Sequence, residues 1–347
     1  HAAFFAAATA ARHRSLALER VVTVGAPEAS EPEAPAMPRR GALGRMSAWL
    51  ASPAGVVLML LVMQSTSVVM LMRYSKTVKR PASDGPPYLN TVAIFLAEAL
   101  KLPCCLMMAA VSTRQHGGLW PLLRKEVVGN LQNTCKCGIP AVAYTIQGNL
   151  LFVALANLQA PTYQVTYQCK TLFTALFSRM LLGKQLKQSQ WVALLLLVAG
   201  AILASDLRSR GIGKAGPKQG QAEIVTGLTA VVSAGLLSAS SSVYFEMLLK
   251  TPFEGAAAQA GLWLRNIQLG AFALPLSAAA MLINEGEQIR AYGLMQGFDT
   301  CVVWAIVLLN SCGGLLVAAT MKYADNIVKC FATAIAIIAV TLLSVPI

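Results

Sequence analysis

Pro161 to Gly183 reads PTYQVTYQCKTLFTALFSRMLLG, a stretch long enough to cross a bilayer with Lys170 set inside it. An ammonium near the hydrocarbon centre is costly, so such a lysine is expected to face a wet cavity or a partner. Tyr163, Tyr167 and Lys170 stand at i, i+4 and i+7, one face of a helix. The pattern returns 159 positions on, where Lys322, Asn326 and Lys329 take the same offsets. Lys170-Thr-Leu-Phe-Thr-Ala and Lys329-Cys-Phe-Ala-Thr-Ala then agree at lysine, threonine and alanine. Paired lysine-bearing helices in two halves predict a carrier for an anion.

The 347 residues are 56% hydrophobic and 12% charged, about half the charged share of a soluble globular chain. Apolar runs near 48–72, 88–113, 137–158, 161–183, 189–205, 222–249, 258–284, 298–321 and 326–347 predict nine spans. They are continuous rather than alternating, which predicts an all-α integral membrane protein and excludes a barrel. The net charge of +13 is scattered through loops, so no contiguous basic surface for nucleic acid is expected. Basic residues divide almost evenly between alternate loops, and charge alone does not orient the chain. The eight cysteines fit neither zinc-site nor disulfide spacing and read as small buried hydrophobes.

Residues 1–46, rich in Ala, Pro, Glu and Arg, read as a disordered tail. The first residue is His, so the true N-terminus is left open, and no signal peptide is assigned. Gly, Pro and basic residues over 209–221 read as a linker between a first repeat, 47–208, and a second, 222–347. The first repeat holds five spans and the second four. An inverted 5+5 repeat is expected, with a tenth helix missing from this chain.

PTYQVTYQCK, VYFEMLLK at 243–250, LWLRNIQ at 262–268 and GGLLVAATMKYADNIVKCFAT at 313–333 resemble the nucleotide-sugar transporters of the drug/metabolite transporter superfamily. The likeness covers about 48–347. The KYADNI form is similar to the UDP-galactose and UDP-N-acetylglucosamine branch, whereas the CMP-sialic acid carriers more often have KYTDNI. The resemblance implies cytosolic termini, a Golgi membrane rather than the endoplasmic reticulum, and exchange of a cytosolic nucleotide sugar for a lumenal nucleoside monophosphate. It implies no cofactor; association as a homo-oligomer or with a glycosyltransferase is left open. Tyr144, Gln147 and Asn149 match the family's YxxQNN element, with Gly148 replacing its first asparagine.

A nucleotide sugar offers a pyrophosphate, a flat base and hydroxyls, so its cavity needs cations, rings and amides. Lys170, Lys329 and Lys322 are the candidates for phosphate. Tyr144, Tyr163 and Tyr167 are the candidates for stacking, and Gln147, Asn149, Asn266 and Asn326 for base and sugar edges. Each has a plainer reading: snorkelling for the lysines, an interfacial belt for Tyr163, helix pairing for Asn266. Glu98 and Lys101, at i, i+3, read as an ion pair or a polar cavity wall, and Glu246 as a carboxylate paired to a neighbouring helix. No nucleophilic, acid–base or metal cluster can be assembled, which argues against an enzyme. A non-transporting scaffold and a carrier of other phosphorylated cargo remain alternatives.

Overall fold

The computed structural model describes residues 51–77, 87–114, 117–158, 160–211 and 221–343. The expected tail, 1–46, and most of the linker, 212–220, lie outside them. Nine long helices run through the described residues, and no strand is found among them. These are α1 (Pro53–Thr77), α2 (Asn90–Thr113), α3 (Leu131–Asn157), α4 (Ala160–Leu182), α5 (Gln188–Gly211), α6 (Gln221–Lys250), α7 (Gly261–Tyr292), α8 (Cys301–Tyr323) and α9 (Asn326–Leu343). A short helix, Leu119–Leu123, and a π-helical turn, Arg124–Val128, join α2 to α3.

Six of them, α1, α2, α3, α6, α7 and α8, are long and apolar enough to cross a membrane by length and composition. α5 and α9 hold shorter apolar stretches, Gln188–Gly200 and Asn326–Val340. α4 is too polar to qualify: its Thr, Tyr and Gln residues, Lys170 and Arg179 dilute the apolar run. Met63, Val111, Leu196 and Ile283 are among many large apolar side chains left exposed on the outside of the bundle. The protein is an all-α, multi-pass integral membrane protein whose outer surface is solvated by lipid.

Helix α1 packs on α8 and α9, and α6 packs on α3 and α4. Likewise α2 packs on α8 while α7 packs on α3, and α2 and α7 pack on each other. Small residues permit the close approaches. A side chain on Gly227 of α6 would collide with Leu158, just past α3, and one on Gly313 of α8 with the Gln64 amide of α1. That amide donates to the Leu309 carbonyl at 2.9 Å.

Two clusters mark the ends of the bundle. At one, Tyr88 and Val92 pack with Met281, Phe298 and Val303. At the other, Cys105, Ala109 and Leu122 pack with Ala257, Ala260 and Leu264. The cysteine expectation is corrected in part. Cys105 and Cys137 are buried, but Cys135, Cys301 and Cys312 are exposed, because a thiol is apolar enough to lie on the outer face of a membrane helix.

Candidate functional site

Three helices are interrupted by proline: Pro103 in α2, Pro140 in α3 and Pro275 in α7. Proline has no N–H for the carbonyl four residues back, so the ladder loosens at that level. Beside each proline lie residues that line one cavity: Lys101 on α2, Ala141 on α3, Ala273 and Leu276 on α7. Its volume is about 500 Å³, within the range of small-molecule sites.

Helices α2, α3, α4, α6, α7, α8 and α9 all contribute to its wall. Seven of the expected residues line it: Glu98, Lys101, Tyr144, Asn149, Lys170, Asn266 and Lys329. Three ammonium groups and one carboxylate therefore face a single hollow, with Lys170 from the first half of the chain and Lys329 from the second. Glu98 and Lys101 are ion-paired. Among the described residues neither Lys170 nor Lys329 has a carboxylate within ion-pair distance. Asn266 is buried and its amide donates to the Leu262 carbonyl at 2.9 Å. Asn149 likewise donates to the Thr145 carbonyl at 3.0 Å.

The other expected residues stand one step back. Tyr167 accepts from Gln147 Nε2 at 3.3 Å and from Lys170 Nζ at 3.4 Å, so the tyrosine and the glutamine hold the lysine in place. Tyr163 stacks on Tyr167, centroids 5.9 Å apart and planes 8° off parallel. Asn326 is fully buried, and its Nδ2 donates at 2.6 Å to Ser242, a wall residue. Lys322 lies apart, its Nζ 5.5 Å from the Tyr323 ring centroid.

Lys322, Asn326 and Lys329 repeat the offsets of Tyr163, Tyr167 and Lys170 but share no single helix, in keeping with the separate runs 298–321 and 326–347. α8 stops at Tyr323 and α9 starts at Asn326, so Lys322 and Lys329 belong to different helices. Asp325 causes the restart, its Oδ1 accepting from the Val328 N–H at 2.8 Å as an N-terminal cap does.

Glu246 is also outside the cavity. It is fully buried and pairs at 2.7 Å with both Lys184 and Lys250. Neither partner comes from the body of a neighbouring helix: Lys184 lies in the turn after α4 and Lys250 on α6 itself. Ser238, Ser242 and Gly314 also line the wall; in sequence they read as either helix-packing or ligand-contact positions, with packing favoured. Their signal was small polar and glycine positions on lining helices, which also fit simple helix packing.

A polytopic helical bundle with a cation-rich, amide-lined and partly aromatic hollow between its two halves has the attributes of a membrane carrier for an anionic, ring-bearing solute. The nucleotide-sugar transporter family profile matches residues 54–347, and the chain belongs to that family. It is 40% identical over 292 residues to the UDP-N-acetylglucosamine transporter of Mus musculus, covering 82% of this chain and 84% of that one. The human protein of the same name is 40% identical over 295 residues, 83% and 86% of the two chains. The human UDP-galactose translocator is 38% identical over 291 residues, 84% and 70%. The protein is a transporter rather than an enzyme.

Proposed function

We propose that this transporter carries UDP-N-acetylglucosamine or UDP-galactose into the Golgi lumen in exchange for UMP. The observation that carries the reading is the meeting of Lys170 and Lys329 at one cavity with Lys101 and a single carboxylate, Glu98. Discounting the Glu98–Lys101 pair, two ammonium groups remain for a doubly charged phosphate. UDP-sugar and UMP both present phosphate and uracil, so each competes for the same cations, rings and amides. The 38–40% identity to UDP-sugar carriers supports a uridine substrate.

The reading further treats α1–α4 and α6–α9 as an inverted repeat. Exchange of the two sets swaps the observed pairings of α1 with α8 and α9 for those of α6 with α3 and α4. Rocking of the halves about the shared cavity then gives alternating access.

Counterflow into sealed proteoliposomes preloaded with UMP tests this, using labelled UDP-, CMP- and GDP-sugars. UDP-sugars are expected to enter, each with release of UMP. Binding without uptake would turn the reading towards a scaffold, and preferred entry of CMP-sialic acid would overturn the base assignment.

Gly148 lines the cavity, and a Cβ built there meets nothing within 4 Å. Gly148→Asn should therefore fold, and stabilise α3 by a few tenths of a kcal/mol at about the difference in helix propensity. Its amide enters the cavity, so relative inhibition by UDP-galactose, UDP-N-acetylglucosamine and CMP-sialic acid should change while maximal exchange stays similar. A change in expression alone would remove this segment from the substrate wall.

A further inference from the structure

The Lys170 helix and the Lys329 helix are tied end to end by charge. α4 stops at Leu182, Gly183 adopts φ +66°, and Lys184 follows in the turn. Lys184 Nζ lies 2.7 Å from Glu246 Oε1 and 3.3 Å from Asp325 Oδ2, immediately before α9. Glu246 Oε2 accepts the Asn326 N–H at 3.0 Å, the first amide of α9. Lys250 donates to Glu246 at 2.7 Å and to the Ala324 carbonyl at 2.9 Å. One cluster therefore joins the end of α4, the last turn of α6 and the start of α9. Lys184 sits where the negative end of the α4 dipole favours a cation, and Asp325 where the positive end of α9 favours an anion.

The cavity is shut on this side. Its wall residues next to the cluster are buried, with Ser242 and Met321 each 1% exposed. Towards the opposite end the polar wall residues Asn149 and Asn284 are exposed. We propose that the Lys184–Glu246–Asp325 junction is the closure of the substrate path at this end, made in the state described here and opened as the carrier reorients. The proposal rests on the transport reading above.

The junction is built to open at low cost. Lys184 and Asp325 side chains are 27% and 28% exposed, so water reaches them, and ion pairs in such settings hold weakly. Glu246, by contrast, has no exposure, and a bare buried carboxylate would be expensive. When Lys184 withdraws, Lys250, one turn along the same helix, stays with Glu246. The closure can thus part without stranding the one charge that cannot be left alone.

The test reads access from the Lys184 side. In full-length protein freed of native cysteines, Ser242→Cys is labelled by an impermeant maleimide applied to that side of sealed vesicles. Labelling should be slow with Lys184 present, and Lys184→Gln should raise it about two- to fivefold, the shift that an exposed ion pair sustains. Asp325→Asn, which leaves Glu246 paired, should give a smaller rise and carries the test should Lys184→Gln fail to fold. Lys184→Arg should keep labelling slow. Met321→Cys replaces the reporter if Ser242→Cys perturbs the protein. Equal labelling in all variants, or an equal rise with Lys184→Arg, overturns the closure. UMP binding, followed by thermal shift with Ser242 and Met321 unaltered, is expected to be retained in Lys184→Gln, Lys184→Arg and Asp325→Asn. Its absence from the unaltered protein would sink the transport reading and leave the access result standing.

Discussion

Lys170→Ala is expected to weaken UMP and UDP-sugar together, each by about ten- to a hundredfold, the worth of one charge-assisted phosphate contact. The joint loss follows from geometry. Lys170 lines the cavity and is aimed by the Tyr167 hydroxyl at 3.4 Å, while no carboxylate among the described residues competes for it. Whatever phosphate enters meets the same cation. Uridine, which has no phosphate, should lose nothing. Lys322→Ala is the control, because that lysine lies over Tyr323 and away from the wall. Calorimetry with UMP and uridine decides the point, and unchanged UMP affinity would remove Lys170 from the phosphate site.

The second large effect concerns packing. Gly227→Val should destabilise the protein by about 1–3 kcal/mol, the usual cost of overfilling a close contact. A Cβ at 227 lies 3.0 Å from Leu158 Cδ2 and 3.2 Å from the Asn157 carbonyl carbon, which is backbone and cannot swing aside. The expected readout is a lower melting temperature in detergent with retained UMP affinity in the surviving folded fraction. A melting temperature equal to that of the unaltered protein would show that α6 and the end of α3 do not approach so closely. The contrast with Gly148, where a side chain meets open space, separates the two roles of glycine in this bundle.

Much of the architecture was legible because lipid enforces it: a run of apolar residues must become a helix when no water is present to satisfy its backbone. Lys170 and Lys329 were legible as a pair for a related reason, since a cation inside an apolar run needs a polar destination. The break between Lys322 and Asn326 was legible in the separate runs 298–321 and 326–347, but its cause was not. The offsets repeat those of Tyr163 and Tyr167, but Asp325 caps a new helix and splits the face. Gln147 and Tyr167 look like ligand groups in sequence; packing turns them into supports for Lys170. Of the partners of Glu246, Lys250 stands at i+4 and was within reach of helix periodicity, whereas Lys184 comes from a turn 62 residues away and no period relates the two.

The three prolines carry one last consequence. The carbonyls of Ala99, Lys136 and Ala271, four residues before Pro103, Pro140 and Pro275, have no helical donor. Flexing α2, α3 or α7 at those levels meets one helical hydrogen bond fewer than elsewhere. The bundle therefore owns three ready-made joints at the level of the cavity, and under the proposed exchange cycle bending strain is expected to gather there rather than in the uninterrupted rods of α6 and α8.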